Sequence, residues 1–167
     1  MAIPSKETIL EIIDARTVDG TFEVLHHGVK LNHHVDKLLR TMERELSDSA
    51  FTSKGVSAVA TFENSTIDIR TPHGKIIGIV EHVRTDGKLA AQATFFAVRV
   101  LADGKTTASR ITSLNFDGGG FITAINKSAV TDRPRLTDDD IIYEICHIVL
   151  TALQDKLTTV NTEDFFA

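Results

Sequence analysis

Four histidines stand near one another early in this chain, His26, His27, His33 and His34. Neutral imidazoles are good ligands for zinc, copper or nickel. Their spacing argues against a shared ion. His26 and His27 fall in a strand-like run, where adjacent side chains point to opposite faces. His33 and His34, in the first turn of a helix, diverge by about 100°. No His-x-x-x-His pattern occurs. We expect neither a metal nor another cofactor.

Other chemistry-bearing residues are similarly dispersed. Cys146 and His147 are helical neighbours, and such neighbours do not face each other. Glu81 and His82 are adjacent on a strand and point apart. Asp117-Gly118-Gly119-Gly120 lacks the lysine, the Ser/Thr and the following helix of a phosphate loop. No Gly-x-Ser-x-Gly elbow is present. The sequence therefore names no reaction. Arg99 and Arg110 are different, because two guanidinium groups on one surface can hold a carboxylate or phosphate through charge-assisted bonds.

The elements that must position these residues are set by turns. Asn64-Ser65, Pro72-His73-Gly74, Asp86-Gly87, Asp103-Gly104 and Asp117–Gly120 separate segments rich in Val, Ile, Thr and Phe. Asp-Gly between such runs is a strong hairpin signal. Six strands are predicted, at 56–63, 66–71, 75–84, 88–102, 105–116 and 120–126. Segment 66–71 alternates cleanly, as a strand near a sheet edge should. Segment 75–83 is apolar on both sides and should lie centrally, packed on each face. Two-residue turns at Asp86-Gly87 and Asp103-Gly104 place Val83 opposite Ala90, His82 opposite Ala91 and Val80 opposite Ala93. They also place Arg99 opposite Ala108 and Arg110 opposite Ala97. One face then collects Gly78, Val80, His82, Ala91, Ala93, Phe95, Ala97, Arg99, Ala108 and Arg110. So many small side chains either admit a helix closely or leave room for a ligand.

Helices are expected at both ends. Residues 5–16 form a short amphipathic helix capped by Ser5 and ended by Asp19-Gly20. A strand at 21–25 follows, closed by His26-His27-Gly28. Asn32 then caps a helix to about residue 50, with Val35, Leu38, Leu39, Met42 and Leu46 on its buried stripe and Asp36 spaced to pair with Arg40. Thr137-Asp138-Asp139-Asp140 resembles a capping box, opening a C-terminal helix over 138–157. Its apolar arc is too wide for a sheet alone and needs a second partner. Residues 127–137 read as a linker and 158–167 as a tail, in which Phe165-Phe166 fold back or dock.

The chain of 167 residues suits one domain, and its 42% hydrophobic content is that of a folded protein. A net charge of −5 argues against a nucleic-acid partner. The single cysteine rules out an internal disulfide, and no apolar run reaches membrane-spanning length, so the expected location is cytoplasmic, with no membrane partner.

Together these features predict an α+β fold. It is a curved antiparallel meander of six to seven strands, packed by two N-terminal helices and a long apolar C-terminal helix. Helix-grip and hotdog architectures share parts of this layout. The passage from Gly74-Lys75-Ile76-Ile77 through Asp86-Gly87-Lys88 to Asp103-Gly104-Lys105 resembles the strand rhythm of hotdog acyl-thioester enzymes, over less than a third of the chain. It lacks the His-Gly-Gly opening that many of them show. If the chain is an enzyme, that resemblance implies acyl-thioester hydrolysis. The leading functional expectation is a small apolar or acyl-type ligand held between sheet and helix by Phe95, Ala93, Ala97, His82, Arg99 and Arg110. The alternative is a protein-interaction module (adaptor, inhibitor, immunity-like or secretion-chaperone-like) that uses its C-terminal helix in a homodimer or client interface.

Overall fold

Seven strands run as an antiparallel meander in which each strand pairs only with its neighbours in sequence, in an open sheet of order β1 to β7. They are β1 (Ser57–Thr61), β2 (Thr66–Thr71), β3 (Gly74–Thr85), β4 (Lys88–Val100), β5 (Thr106–Asp117), β6 (Ile122–Ile125) and β7 (Ser128–Ala129). The computed structural model describes residues 15–162. Three helices complete these residues: α1 (Ala15–Leu46), α2 (Ser49–Thr52) and α3 (Asp139–Asp155). The predicted helix at 5–16, save its last two residues, and the Phe165-Phe166 pair lie outside the described residues.

Turn chemistry sets the register. Asp86 and Gly87 both take positive φ, 52° and 76°, as a type I′ turn requires. Val83 accordingly pairs with Ala90, His82 with Ala91 and Val80 with Ala93, as counted from the sequence. The next hairpin departs from the count. There Gly104 N–H donates to Leu101 O and Leu101 N–H to Lys105 O, a three-residue connection in which Gly104 alone of the pair has positive φ. Arg99 therefore faces Thr107, not Ala108, and Arg110 faces Phe96, not Ala97. One extra residue, Ile111, then bulges from β5, so Thr112, Leu114 and Phe116 meet Phe95, Ala93 and Ala91 in the two-residue-turn register. The bulge absorbs the slip.

One sheet face is the core. Ile67 and Ile69 of β2, Ile76 and Val80 of β3, and Ala91, Ala93, Phe95 and Ala97 of β4 are buried there. Gly78 lets the Phe95 ring cross β3, since a Cβ at that position would lie 2.7 Å from the ring. The second face is open, with Ile79 exposed and Ile77, Phe96 and Val98 only partly covered, so β3 is central in the sheet but packed on one side only. On the outer edge, the Glu43 carboxylate accepts from the Ala60 amide and ties β1 to α1.

Helix α1 overturns the N-terminal prediction. The expected stop at Asp19-Gly20, the strand at 21–25, the turn at His26–Gly28 and the cap at Asn32 all lie inside one 32-residue helix. The local cues were real but weak. An interior glycine costs about 1 kcal/mol relative to alanine. A helix anchored by Leu31, Val35, Leu38, Leu39, Met42 and Leu46 extends through such a site at the low cost of propagation. Arg40 does not serve as an ion-pair partner for Asp36; its guanidinium lies 4.0 Å from the Phe62 ring centroid.

Helix α3 starts one residue later than the capping box implied. Asp138 is the cap and accepts from Asp140 N–H, while Asp139 and Asp140 occupy the first turn. Its buried residues, Ile142, Ile145, Cys146, Val149 and Leu153, face the core cluster that sheet and α1 share. Thus α1 is the second partner that the wide apolar arc required. Lys37 and Arg44 of α1 both bond the Asp139 carboxylate, at 2.9 and 2.8 Å, and join the two helices at their polar margin. The predicted linker is pinned rather than slack. Ile122 N–H donates to Pro134 O, Leu136 N–H donates to Gly120 O, and Arg133 and Arg135 lie over the Phe121 ring.

Candidate binding cleft

The six residues expected to line a ligand site are not brought together. Ala93, Phe95 and Ala97 are buried beneath the helices, at 2% exposure or less. The small side chains thus admit a close helix rather than enclose a cavity. Between α3 and the sheet, the space around Phe95, Leu114 and Ile145 amounts to only about 10 Å³. His82 Nε2 hydrogen-bonds the Asn32 amide oxygen at 2.8 Å, at the opposite end of β3 and β4 from Arg99. Arg99 donates to Lys156 O at the C-terminus of α3, where a cation suits the helix dipole. Arg110, turned to the other sheet face by its pairing with Phe96, donates to the Ser113 hydroxyl. The two arginines form no anion site in common.

A cleft of about 560 Å³ opens elsewhere, between the N-terminal half of α1 and the β3–β4 hairpin. Helix α1 supplies Glu23, Val24, His27, Lys30 and Leu31, a set spaced to lie along one side of a helix. The type I′ turn projects Arg84, Gly87, Lys88 and Leu89 from the facing wall, and Gly118 closes one end from the β5–β6 loop. Gly28 sets the approach. A Cβ there would lie 3.4 Å from the His82 ring and 3.9 Å from Leu89, so helix and hairpin meet closely just below the opening.

Its chemistry is mixed in a useful way. Val24 and Leu89 form an apolar lining backed by the buried Leu31, while Lys30, Arg84 and Lys88 bring three cations against one acid, Glu23. Among the described residues none of these cations is held in an ion pair. The chain as a whole carries −5. A cationic cleft on an acidic protein attracts anions selectively, because nearby like charges raise the local potential. Sequence reading missed this site. Its one available signal was the lysine that follows the turn at Gly87-Lys88.

The histidines are spread along α1. His27 lines the cleft, and His34 packs under the β5–β6 loop, where a Cβ at Gly120 would lie 2.7 Å from its ring. Among the described residues no group of three His, Cys, Asp or Glu converges on one point. No helix there is long and apolar enough to cross a membrane. Cys146 is buried, and desolvation, assisted by the charge of Glu45, pushes its thiol up to about 12.

The fold and cleft define an α+β domain with a seven-stranded antiparallel meander, helices packed on one sheet face, and a cationic cleft at one end of the long helix. Searches against protein-family models, curated proteins and solved structures find no match to this chain.

Proposed function

We propose that this protein binds a small amphipathic anion, an acyl chain with a carboxylate or phosphate head, in the cleft between α1 and the β3–β4 hairpin. The carrying observation is the pairing of an apolar lining with three cations that lack a counter-ion among the described residues. Its volume lies within the range of small-molecule sites. Val24 and Leu89 contact the chain, with Leu31 buried behind them, and Lys30, Arg84 and Lys88 contact the head group. This reading keeps the ligand class inferred from the sequence and moves its site. The placement of α1 and α3 side by side on one sheet face supports a helix-grip-like description over a hotdog-like one, whose early helix is wrapped by strands. Binding alone is proposed, with no reaction.

Thermal unfolding with sodium decanoate and decyl phosphate tests the proposal. Ligand at a hundredfold excess over Kd stabilises by about 2.7 kcal/mol. For a domain of this size that is a rise in Tm of about 5–10 °C. Arg84→Glu with Lys88→Glu should abolish the rise while leaving the unliganded Tm within about 2 °C, since surface changes are near neutral. An unchanged Tm across both probes and chain lengths, or an undiminished rise in the double variant, refutes it.

A further inference from the structure

The first turns of α1 carry an apolar stripe that nothing covers among the described residues. Residues 18–27 are all exposed, and the helix enters the core only at Gly28 and Leu31. Within this arm Phe22, Leu25 and Val29 stand 65%, 60% and 58% exposed, and Val18 is exposed beside them. Their spacing of four, three and four residues is that of a two-helix seam, not of scattered surface positions. The seam lies on a different side of the helix from the cleft-lining residues. A bare helix of three turns is marginal in water, so a partner that buries this stripe would also hold the arm.

Charge identifies the partner. Asp19 follows Val18 and His26 follows Leu25 on the same flank of the seam, whereas Glu23 and Lys30 turn toward the cleft. An Asp19 carboxylate accepts a hydrogen bond from a His26 imidazole N–H, and this pair is brought together twice when two copies run antiparallel. A two-fold axis between Phe22 and Leu25 then sets Val18 against Val29 of the second copy, and Asp19 near its His26. A parallel pair in register would leave Asp19 and His26 of the two copies two turns apart and unpaired. We infer that the α1 arm is a self-complementary docking surface for a second copy of this chain, packed as an antiparallel helix pair about residues 22–25.

Three measurements on the full chain test this. Light scattering across a concentration series should show a monomer–dimer equilibrium, and Phe22→Glu with Leu25→Glu should leave a monomer whose circular dichroism and Tm at high dilution match the parent. Asp19→Lys should weaken the dimer by at least several-fold, and adding His26→Glu should restore it by reversing the pair. Val18→Cys mixed with Val29→Cys should cross-link between copies faster than either alone; native Cys146 is buried and should not interfere. A monomer at every concentration would overturn the inference, whether residues 1–14 or an unrelated protein covers the stripe instead. Self-cross-linking of Val18→Cys in preference to the mixture would overturn the antiparallel arrangement.

Discussion

Substituting Gly78 by alanine tests the central packing claim, because one atom decides whether Phe95 can lie across β3. The added Cβ would sit 2.7 Å from Phe95 Cε1 and 2.8 Å from Ile67 Cγ2. Unstrained carbon pairs lie about 3.5–4.0 Å apart, so both contacts overlap by roughly 0.7 Å or more. Neither neighbour has room to retreat, since Phe95 is 1% and Ile67 0% exposed. Overpacking of this kind costs about 1–3 kcal/mol. Against it stands the gain of about 0.4–1 kcal/mol from a less flexible unfolded chain. The net expectation is a loss of about 1–2 kcal/mol, or a Tm lower by roughly 3–6 °C. With no tryptophan in the chain, far-UV circular dichroism in urea is the suitable assay. Phe95→Leu removes the offending ring edge, so combining it with Gly78→Ala should cost less than the two changes summed, by about 1 kcal/mol of coupling. A Gly78→Ala protein as stable as the parent, or strictly additive losses, would refute the proposed ring-over-glycine packing.

Asn126 should be the most sensitive polar position. Its Oδ1 accepts from Thr112 Oγ1 at 2.7 Å and Ser113 N–H at 3.0 Å, both donors being buried. Asn126→Ala leaves both unsatisfied and should cost about 2–4 kcal/mol in urea unfolding. Asn126→Gly, which relieves the positive φ but restores no acceptor, should recover only a minor part. Asp139 is held below the usual carboxylate range, first by the hydrogen bond from Lys37 and then by that from Arg44. A depressed carboxyl stabilises the fold above its unfolded value, near pH 4, and loses that contribution as pH falls through its folded value. The Tm gap between parent and Asp139→Asn should therefore be present at neutral pH, shrink below about pH 4, and narrow with added salt. Cys146, raised to about 12 by burial, should resist thiol reagents at mildly alkaline pH until urea unfolds the chain; prompt labelling of the folded protein would contradict its placement.

The meander was legible because its cues are local. An Asp-Gly step at residues 86 and 87 specifies one turn type, and that turn alone fixes eleven residue pairs between β3 and β4. The same dipeptide at 103 and 104 does not, because Asp103 Oδ1 accepts from Lys105 N–H and the connection takes a third residue. Ile111 then corrects the register from within β5. Nothing around position 111 marks a bulge in the sequence, since Arg110-Ile111-Thr112 reads as ordinary strand. The consequence for function is large. A one-residue slip sends Arg110 to the opposite face from Arg99 and removes the anion site that their alternation implied.

The N-terminal half was illegible for the opposite reason: its fold is set at a distance. Thr21-Phe22-Glu23-Val24-Leu25 satisfies a strand's alternation and a helix's three-four spacing equally, and Asp19-Gly20 tilts a local reading towards the strand. What decides is the buried stripe from Leu31 to Leu46, which anchors the helix and lets it run backward through a weak segment. Once residues 21–30 are helical, their side chains divide by angle into two sets. Val24, His27 and Leu31 turn to the hairpin and build the cleft, while Phe22 and Val29 turn away and, with Leu25 at the margin beside Arg84, form the seam. A strand would have mixed the two sets on alternating faces and produced neither. The single error about one segment therefore hid both surfaces, which is why the cleft and the arm stand or fall with the continuity of α1 through Gly20. Amide exchange across residues 18–27 reads that continuity directly: protection there supports both surfaces, and exchange at coil rates removes the ground for both.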